Sequence, residues 1–301
     1  MSPEELEAFY TSDIKPLVFA HEGRRASLAK RVKLVAWTIF ILAIALIILA
    51  FLISPTQDIA RRLALGTGVA ALFAILLSRA LITDGFKSTM KDIVMGKLCE
   101  ALGWTYEQKG FVPIPLEDFY RLKILPDFNQ TQKFEDKISG HVGGSEFILH
   151  ELRLDNGGTD GNWMFEGQIL RVACPKAFLG ETIVLRKKFD ASRKVDETLK
   201  KVGLVSKQFE ALFNVYSTDQ MEARYLLPPD FIQHLIDFEN SIEGRNLRFG
   251  FVDQHLLVSI ETEDRFQSSS VFKAIESSED VQKNIKELKA IVDIIEYLNV
   301  K

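Results

Sequence analysis

Cysteine is scarce in this chain: Cys99 and Cys174 are the only two among 301 residues, and no C-x-x-C occurs. That excludes a disulfide framework and a thiolate zinc site. A strong excess of one charge is missing too. The formal net charge of −4 is mild and of the wrong sign for a dedicated nucleic-acid binder. No G-x-x-x-x-G-K-[ST] loop, H-E-x-x-H or G-x-S-x-G is present, so none of the chemistries those spacings serve is indicated. Five histidines (His21, His141, His150, His234, His255) are scattered without ligand spacing; only His141 and His150, on one strand region, could converge. Asp155 to Asn162 has the acids and glycines of a calcium loop but not the EF-hand spacing or its terminal Glu, and reads as a turn. His141-Val142-Gly143-Gly144-Ser145 reads as a tight strand entry rather than a ligand loop. No metal or cofactor is therefore expected.

Uninterrupted apolar sequence is abundant in two places. Leu34–Ile53 is 20 residues without a charge, and Leu63–Ile82 is 20 residues with one, Arg79 near its end. At about 1.5 Å per residue each covers about 30 Å of hydrocarbon, and an arginine so near an end can snorkel to the headgroups. The nine residues between them contain a Ser54-Pro55 breaker, so the runs are expected to form a transmembrane hairpin, residues 34–82 with spans 34–53 and 63–82. A cleaved signal peptide fits poorly, because the first run begins late, is too long and lacks a small-residue cleavage site. Arg24, Arg25, Lys30, Arg31 and Lys33 precede the first run; Lys87, Lys91 and Lys97 follow the second; the loop holds only Arg61 and Arg62. That bias places both termini in the cytoplasm of an inner-membrane, multi-pass protein.

Residues 1–33 form an N-terminal cytoplasmic arm. Ser2, Pro3 and Glu5 have the pattern of a helix start, and Leu6, Phe9 and Tyr10 line one side of an amphipathic helix. Residues 86–301 are expected to form a soluble α+β domain. Phe86, Met90, Ile93, Val94, Leu98 and Leu102 mark a helix face ended by Gly103. From Asp136 the period changes to two. Strands are expected around Phe147 to Leu154, Trp163 to Val172 and Thr182 to Leu185, and a hairpin over 247–260 turning at Asp253-Gln254. Asp219 with Glu222 opens a short helix that Pro228 stops; Pro229 starts another; Val281 to Leu298 is a last helix, docked on the sheet rather than forming a dimer seam. The fold class is thus α+β: a two-helix transmembrane hairpin, then an antiparallel sheet with packed helices.

Two clusters are candidates for function. Asp219, Glu222 and Arg224 are a polar group near a strand end. Residues 186–207 hold eight basic residues (Arg186, Lys187, Lys188, Arg193, Lys194, Lys200, Lys201, Lys207) against three acids. A solvated helix or loop accounts for that run; contact with anionic headgroups would use it, at about 1 kcal/mol per basic residue. The pattern Phe-x-Val-Tyr-x-Thr-Asp-Gln-x-Glu-Ala-Arg-Tyr-Leu-Leu-x-Pro over 213–229 resembles a bacterial membrane family filed as a domain of unknown function, some members of which carry the misleading label "galanin". The paired runs with a basic flank, Ile138 to Leu152 and the hairpin from Phe249 are similar as well. The resemblance implies this architecture and supplies no activity, substrate or catalytic residue. The expectation is a membrane-anchored, cytoplasm-facing interaction module for a protein partner or lipid surface, without nucleic acid, and compatible with homo-oligomers. The alternative is a membrane-tethered, hydrolase-like enzyme with its site near Asp219.

Overall fold

The computed structural model describes residues 5, 8–126, 131–155, 164–187, 196–241, 245–262, 288–289 and 291–297. The described residues divide into two compact units, one within Ala8–Val94, the other within Met95–Phe266 and Val281–Lys301.

The first unit is helical. A π-helical turn (Tyr10–Ile14) leads into α1 (Lys15–Phe19), α2 (Glu22–Ile53) and α3 (Gln57–Ala101). The proposed helix start at Ser2 lies outside the described residues. Both long helices can cross a membrane by length and composition, and their apolar windows are only 6% and 0% buried. A soluble core helix would hide that surface. Two expectations are corrected here. Only Ser54, Pro55 and Thr56 separate the helices, rather than nine residues. Thr56 accepts the Ile59 amide through Oγ1 at 3.5 Å, and Asp58 sits in the first turn, so Asp58 to Arg62 are already helical. The helix expected to begin at Phe86 is also no separate element. No proline interrupts 56–112, and Gly85 costs about 1 kcal/mol relative to alanine, too little to break a helix. One 45-residue helix therefore runs through to Ala101.

It ends as the sequence suggests. Gly103 takes φ +72°, and the Trp104 amide reaches the Cys99 carbonyl at 2.8 Å. Among the described residues the second unit then builds nine strands: β1 (Thr105–Glu107), β2 (Thr131–Val142), β3 (Ser145–Asp155), β4 (Phe165–Ala173), β5 (Thr182–Arg186), β6 (Lys200–Val202), β7 (Phe213–Ser217), β8 (Arg245–Val252) and β9 (His255–Glu261). Their order is β1-β2-β3-β4-β9-β8-β5-β7-β6, and every pairing is antiparallel. Short helices α4 (Glu117–Arg121), α5 (Lys207–Leu212) and α6 (Gln220–Leu226) and the longer α7 (Pro229–Ser241) connect them, and residues 291–297 are helical (α8). β2 and β3 turn through Gly143 and Gly144, both at positive φ, as a two-residue hairpin requires. β6 corrects the expectation of a solvated helix or loop across 186–207, since Lys200 to Val202 pair with β7 at the sheet edge.

Alternation gives the sheet two apolar faces. On one, Leu152, Leu154, Phe165, Ile169, Ile183, Leu185 and Leu257 meet Ile114, Leu116, Phe119, Leu122, Ile124 and Leu125 from the segment around α4. Fully buried Arg248 pins that segment. It donates through Nη1 to the Ile124 carbonyl (2.8 Å) and the Ser259 hydroxyl (3.3 Å), pairs with Glu261, and lies 5.8 Å over the Phe165 ring. Ser259 donates to the same carbonyl at 2.7 Å. On the other face, Phe238 of α7 packs on Phe249 (6.2 Å between ring centres) and Phe231 on Phe251 (6.4 Å). Tyr297 of α8 stacks on Phe231 at 4.6 Å, and Leu288, Ile291, Ile294 and Ile295 are buried.

Candidate interaction surface

The candidate triad lies where β5, β6 and β7 meet α6. Asp219 is the N-cap of α6, its Oδ1 accepting the amides of Met221 (2.9 Å) and Glu222 (3.0 Å). Glu222 does not turn back on the cap as a capping box would. Its carboxylate instead accepts the backbone amides of Leu179 (2.6 Å) and Gly180 (2.7 Å), 43 and 42 positions away. Thr218 completes the clasp, taking the Glu181 amide on Oγ1 at 2.8 Å and giving its own amide to the Glu181 carbonyl at 3.0 Å. Beneath it, the buried Thr182 and Ser217 hydroxyls share a 2.8 Å hydrogen bond. Arg224 reaches back along the helix to the Gln220 carbonyl (3.3 Å) and side-chain oxygen (3.4 Å). The two carboxylates thus serve backbone amides and do not converge on each other or on Arg224.

Around this clasp the surface is apolar where a soluble helix would be polar. Leu179 is 87% exposed, Met221 81% and Tyr225 68%. At 100° per residue, Met221, Tyr225 and Glu222 fall within about 100° of one another, while Ala223 points to the core and Arg224 flanks the other side. Glu222 holds the Leu179 backbone, which sets Leu179 beside the same face. Sequence reading missed these three residues. The available signal was the i, i+4 pair Met221 and Tyr225 on a helix that buries Ala223 and is followed at its C-cap by buried Leu227.

The basic residues divide. Arg186 is taken up by the fold, pairing with Glu239 at 2.5 Å and lying 5.7 Å over Phe213. Burial raises the Glu239 carboxyl above its ordinary value and Arg186 opposes that. Lys187, Lys200 and Lys201 are exposed, with Lys200 Nζ donating to the Glu197 carbonyl at 2.8 Å. Lys188, Arg193 and Lys194 lie outside the described residues. Lys200 pairs in register with Ser217, two residues from the α6 cap, so β6 borders α6. Val205, just past β6, is 94% exposed.

His150 and His141 do not meet. His141 pairs with Glu146 and His150 with Lys137, four positions along the strand, about 13 Å. His150 is fully buried between Phe111 (4.9 Å) and Phe134 (5.6 Å), and neither ring nitrogen has a hydrogen-bond partner. Burial, followed by the charge of Lys137, pushes its pKa down to about 4. Beside it the ladder bulges at Asp136 (φ +45°), whose Oδ1 accepts the Tyr106 hydroxyl at 2.6 Å. The calcium-loop candidate from Asn156 onward lies outside the described residues. Burial also raises the Cys99 thiol to about 12 and the Cys174 thiol to about 11, so neither is a nucleophile at neutral pH.

A pair of apolar helices followed by an antiparallel sheet domain, its exposed apolar corner beside a carboxylate clasp, defines the class: an α+β domain behind two candidate membrane spans. Residues 163–300, a little under half of the chain, match the family described as "Protein of unknown function (DUF3137)". No curated protein matches the chain. Among solved structures it is similar to one titled "crystal structure of the mycobacterial trehalose monomycolate transport factor A, TtfA", at 10% identity and a TM-score of 0.36, over 68% of this chain and 92% of that one. So distant a likeness bears on neither the activity nor the partners of this chain.

Proposed function

We propose that this protein is a membrane-anchored interaction module. The hairpin of residues 34–82 crosses the inner membrane twice, the arm of residues 1–33 and the domain of residues 86–301 are cytoplasmic, and the basic segment 186–207 contacts inner-leaflet lipid or a protein partner. The observation that carries the reading is the apolar surface of α2 and α3, whose span-length windows are left almost wholly uncovered. The orientation rests on five basic residues in positions 24–33, directly before the first apolar run, against two between the runs.

Cysteine accessibility tests it. Cys99 and Cys174 are replaced, and single cysteines are introduced at Gln57 and, separately, at the exposed Lys109. In intact spheroplasts a membrane-impermeant maleimide should label Gln57→Cys alone, and Lys109→Cys only after lysis. Labelling at Lys109 from outside would refute the cytoplasmic placement. Recovery of the chain in the soluble fraction after lysis would refute the anchor.

A further inference from the structure

We propose that the corner formed by Leu179, Met221 and Tyr225, bordered by Lys200, Lys201 and Arg224, docks into the headgroup region of an anionic bilayer. The inference rests on the membrane-anchored reading and adds to it the element that touches lipid.

Three observations carry it. The first is shape. Met221 and Tyr225 stand one turn apart on α6, and Leu179 is held beside them by the 2.6 Å bond from its amide to Glu222. The clasp thus presents three large, mostly apolar side chains from an anchored backbone, and a tyrosine suits the boundary between water and hydrocarbon. The second is charge. The carboxylates of the corner are drawn inward: Asp219 to the α6 amides, Glu222 to Leu179 and Gly180, and Glu181 to Arg121. Outward stand Arg224 on α6 and, on opposite sides of the edge strand, Lys200 and Lys201, with Asp196 and Glu197 the acids in the turn before β6. Basic residues flanking exposed apolar ones are what an anionic interface recognises. The third is area. Three side chains on and beside a seven-residue helix fall well short of the roughly 800 Å² per partner that a stable protein interface buries. A bilayer needs far less, because a chain anchored in it meets that surface at high effective concentration.

The full-length protein, cysteine-free but for Met221→Cys, would carry a nitroxide and be reconstituted into vesicles of phosphatidylcholine alone or phosphatidylcholine with phosphatidylglycerol. Collision rates with oxygen and with a water-soluble nickel chelate are then compared, with a label at exposed Val112 as the aqueous control. In the anionic vesicles the oxygen-to-nickel ratio at Met221 should rise several-fold over that at Val112, and Lys200→Glu with Lys201→Glu should abolish the rise. A Met221 label as aqueous as Val112 in anionic vesicles overturns the docking while leaving the anchor intact. An equal rise in neutral vesicles overturns the recognition of anionic headgroups. A label immobilised and shielded from both colliders marks a protein occupant and also overturns it. Failure of the protein to float with vesicles of either kind removes the anchor itself.

Discussion

Acidification should weaken the fold through one side chain. His150 sits without a hydrogen-bond partner between two aromatic rings, its pKa held down at about 4 against 6.5 for an unburied imidazole. Inside the fold it is neutral; once unfolded it takes a proton as the pH drops below about 6.5. Between those two values the unfolded chain binds more protons, so stability must fall as the pH falls through that window. Above about pH 6.5 both states are neutral, and below about pH 4 both are protonated; the loss is confined between. At 1.36 kcal/mol per unit the whole loss is about 3 kcal/mol, a large part of the roughly 5–15 kcal/mol a domain has. The assay is urea unfolding of the full chain in a non-ionic detergent, followed by tryptophan fluorescence. Trp104, edge-on to Phe147 at 4.8 Å, is a local reporter. Other groups titrate in the same range, so the informative quantity is the gap between wild type and His150→Leu. The variant loses ring contacts at every pH but carries no proton. Wild type should lose about 3 kcal/mol relative to it between about pH 7 and about pH 4. A gap that stays constant would refute the reasoning.

The clasp around α6 yields two further expectations, and the β4–β9 seam a third. Asp219→Ala removes the acceptor of two amides and should cost about 1 kcal/mol in the same unfolding assay. Glu222→Gln keeps the size but offers one carbonyl to two amides. Hydrogen exchange should speed up at Leu179 and Gly180 specifically, with about 1–3 kcal/mol lost; unchanged protection there would show that the carboxylate does not hold the loop. Gly167→Ala, at the β4–β9 seam, would place a methyl 1.9 Å from the Ile260 carbonyl oxygen. The strands must part, so the variant should lose about 3 kcal/mol or more and show a markedly lower Tm by differential scanning fluorimetry.

Local signals were readable in advance and long-range ones were not. Asp219 and Pro228 bound α6 because capping and proline chemistry act over one or two turns. The β8–β9 hairpin was legible from alternation about Asp253, which takes φ +52° at the turn. The buried face of α7 (Phe231, Ile232, Leu235, Ile236, Phe238) matched its period. The continuity of α3 was missed because the apolar run stops at Ile82 and composition changes there; without a proline the helix runs on. β6 was missed because two lysines in three residues look solvated, yet an edge strand turns one row of side chains outward and lysine protects its open edge. The partnership of Glu222 with Leu179 and Gly180 could not be read at all. Local chemistry suggested a capping box, and a loop 42 residues upstream supplied better donors. The burial of His150 was equally illegible, because the Asp136 bulge and the two phenylalanines that close around it come from other parts of the chain.

The strand order has a practical side. The matched family segment begins at residue 163, just before β4, yet β4 lies inside the sheet with β3 along one side and β9 along the other. The β3 contact runs in register from Phe147 opposite Val172 to Leu154 opposite Phe165. A fragment cut where the family match starts would strip β4 of that neighbour. It would turn an interior strand into a raw edge and bare Phe165 and Ile169 to water. Such an edge recruits other chains, so insolubility of that fragment would report a severed sheet rather than an unstable family domain. The stretch of sequence that relatives share and the stretch that can fold are different lengths here, and expression work should begin upstream of β1.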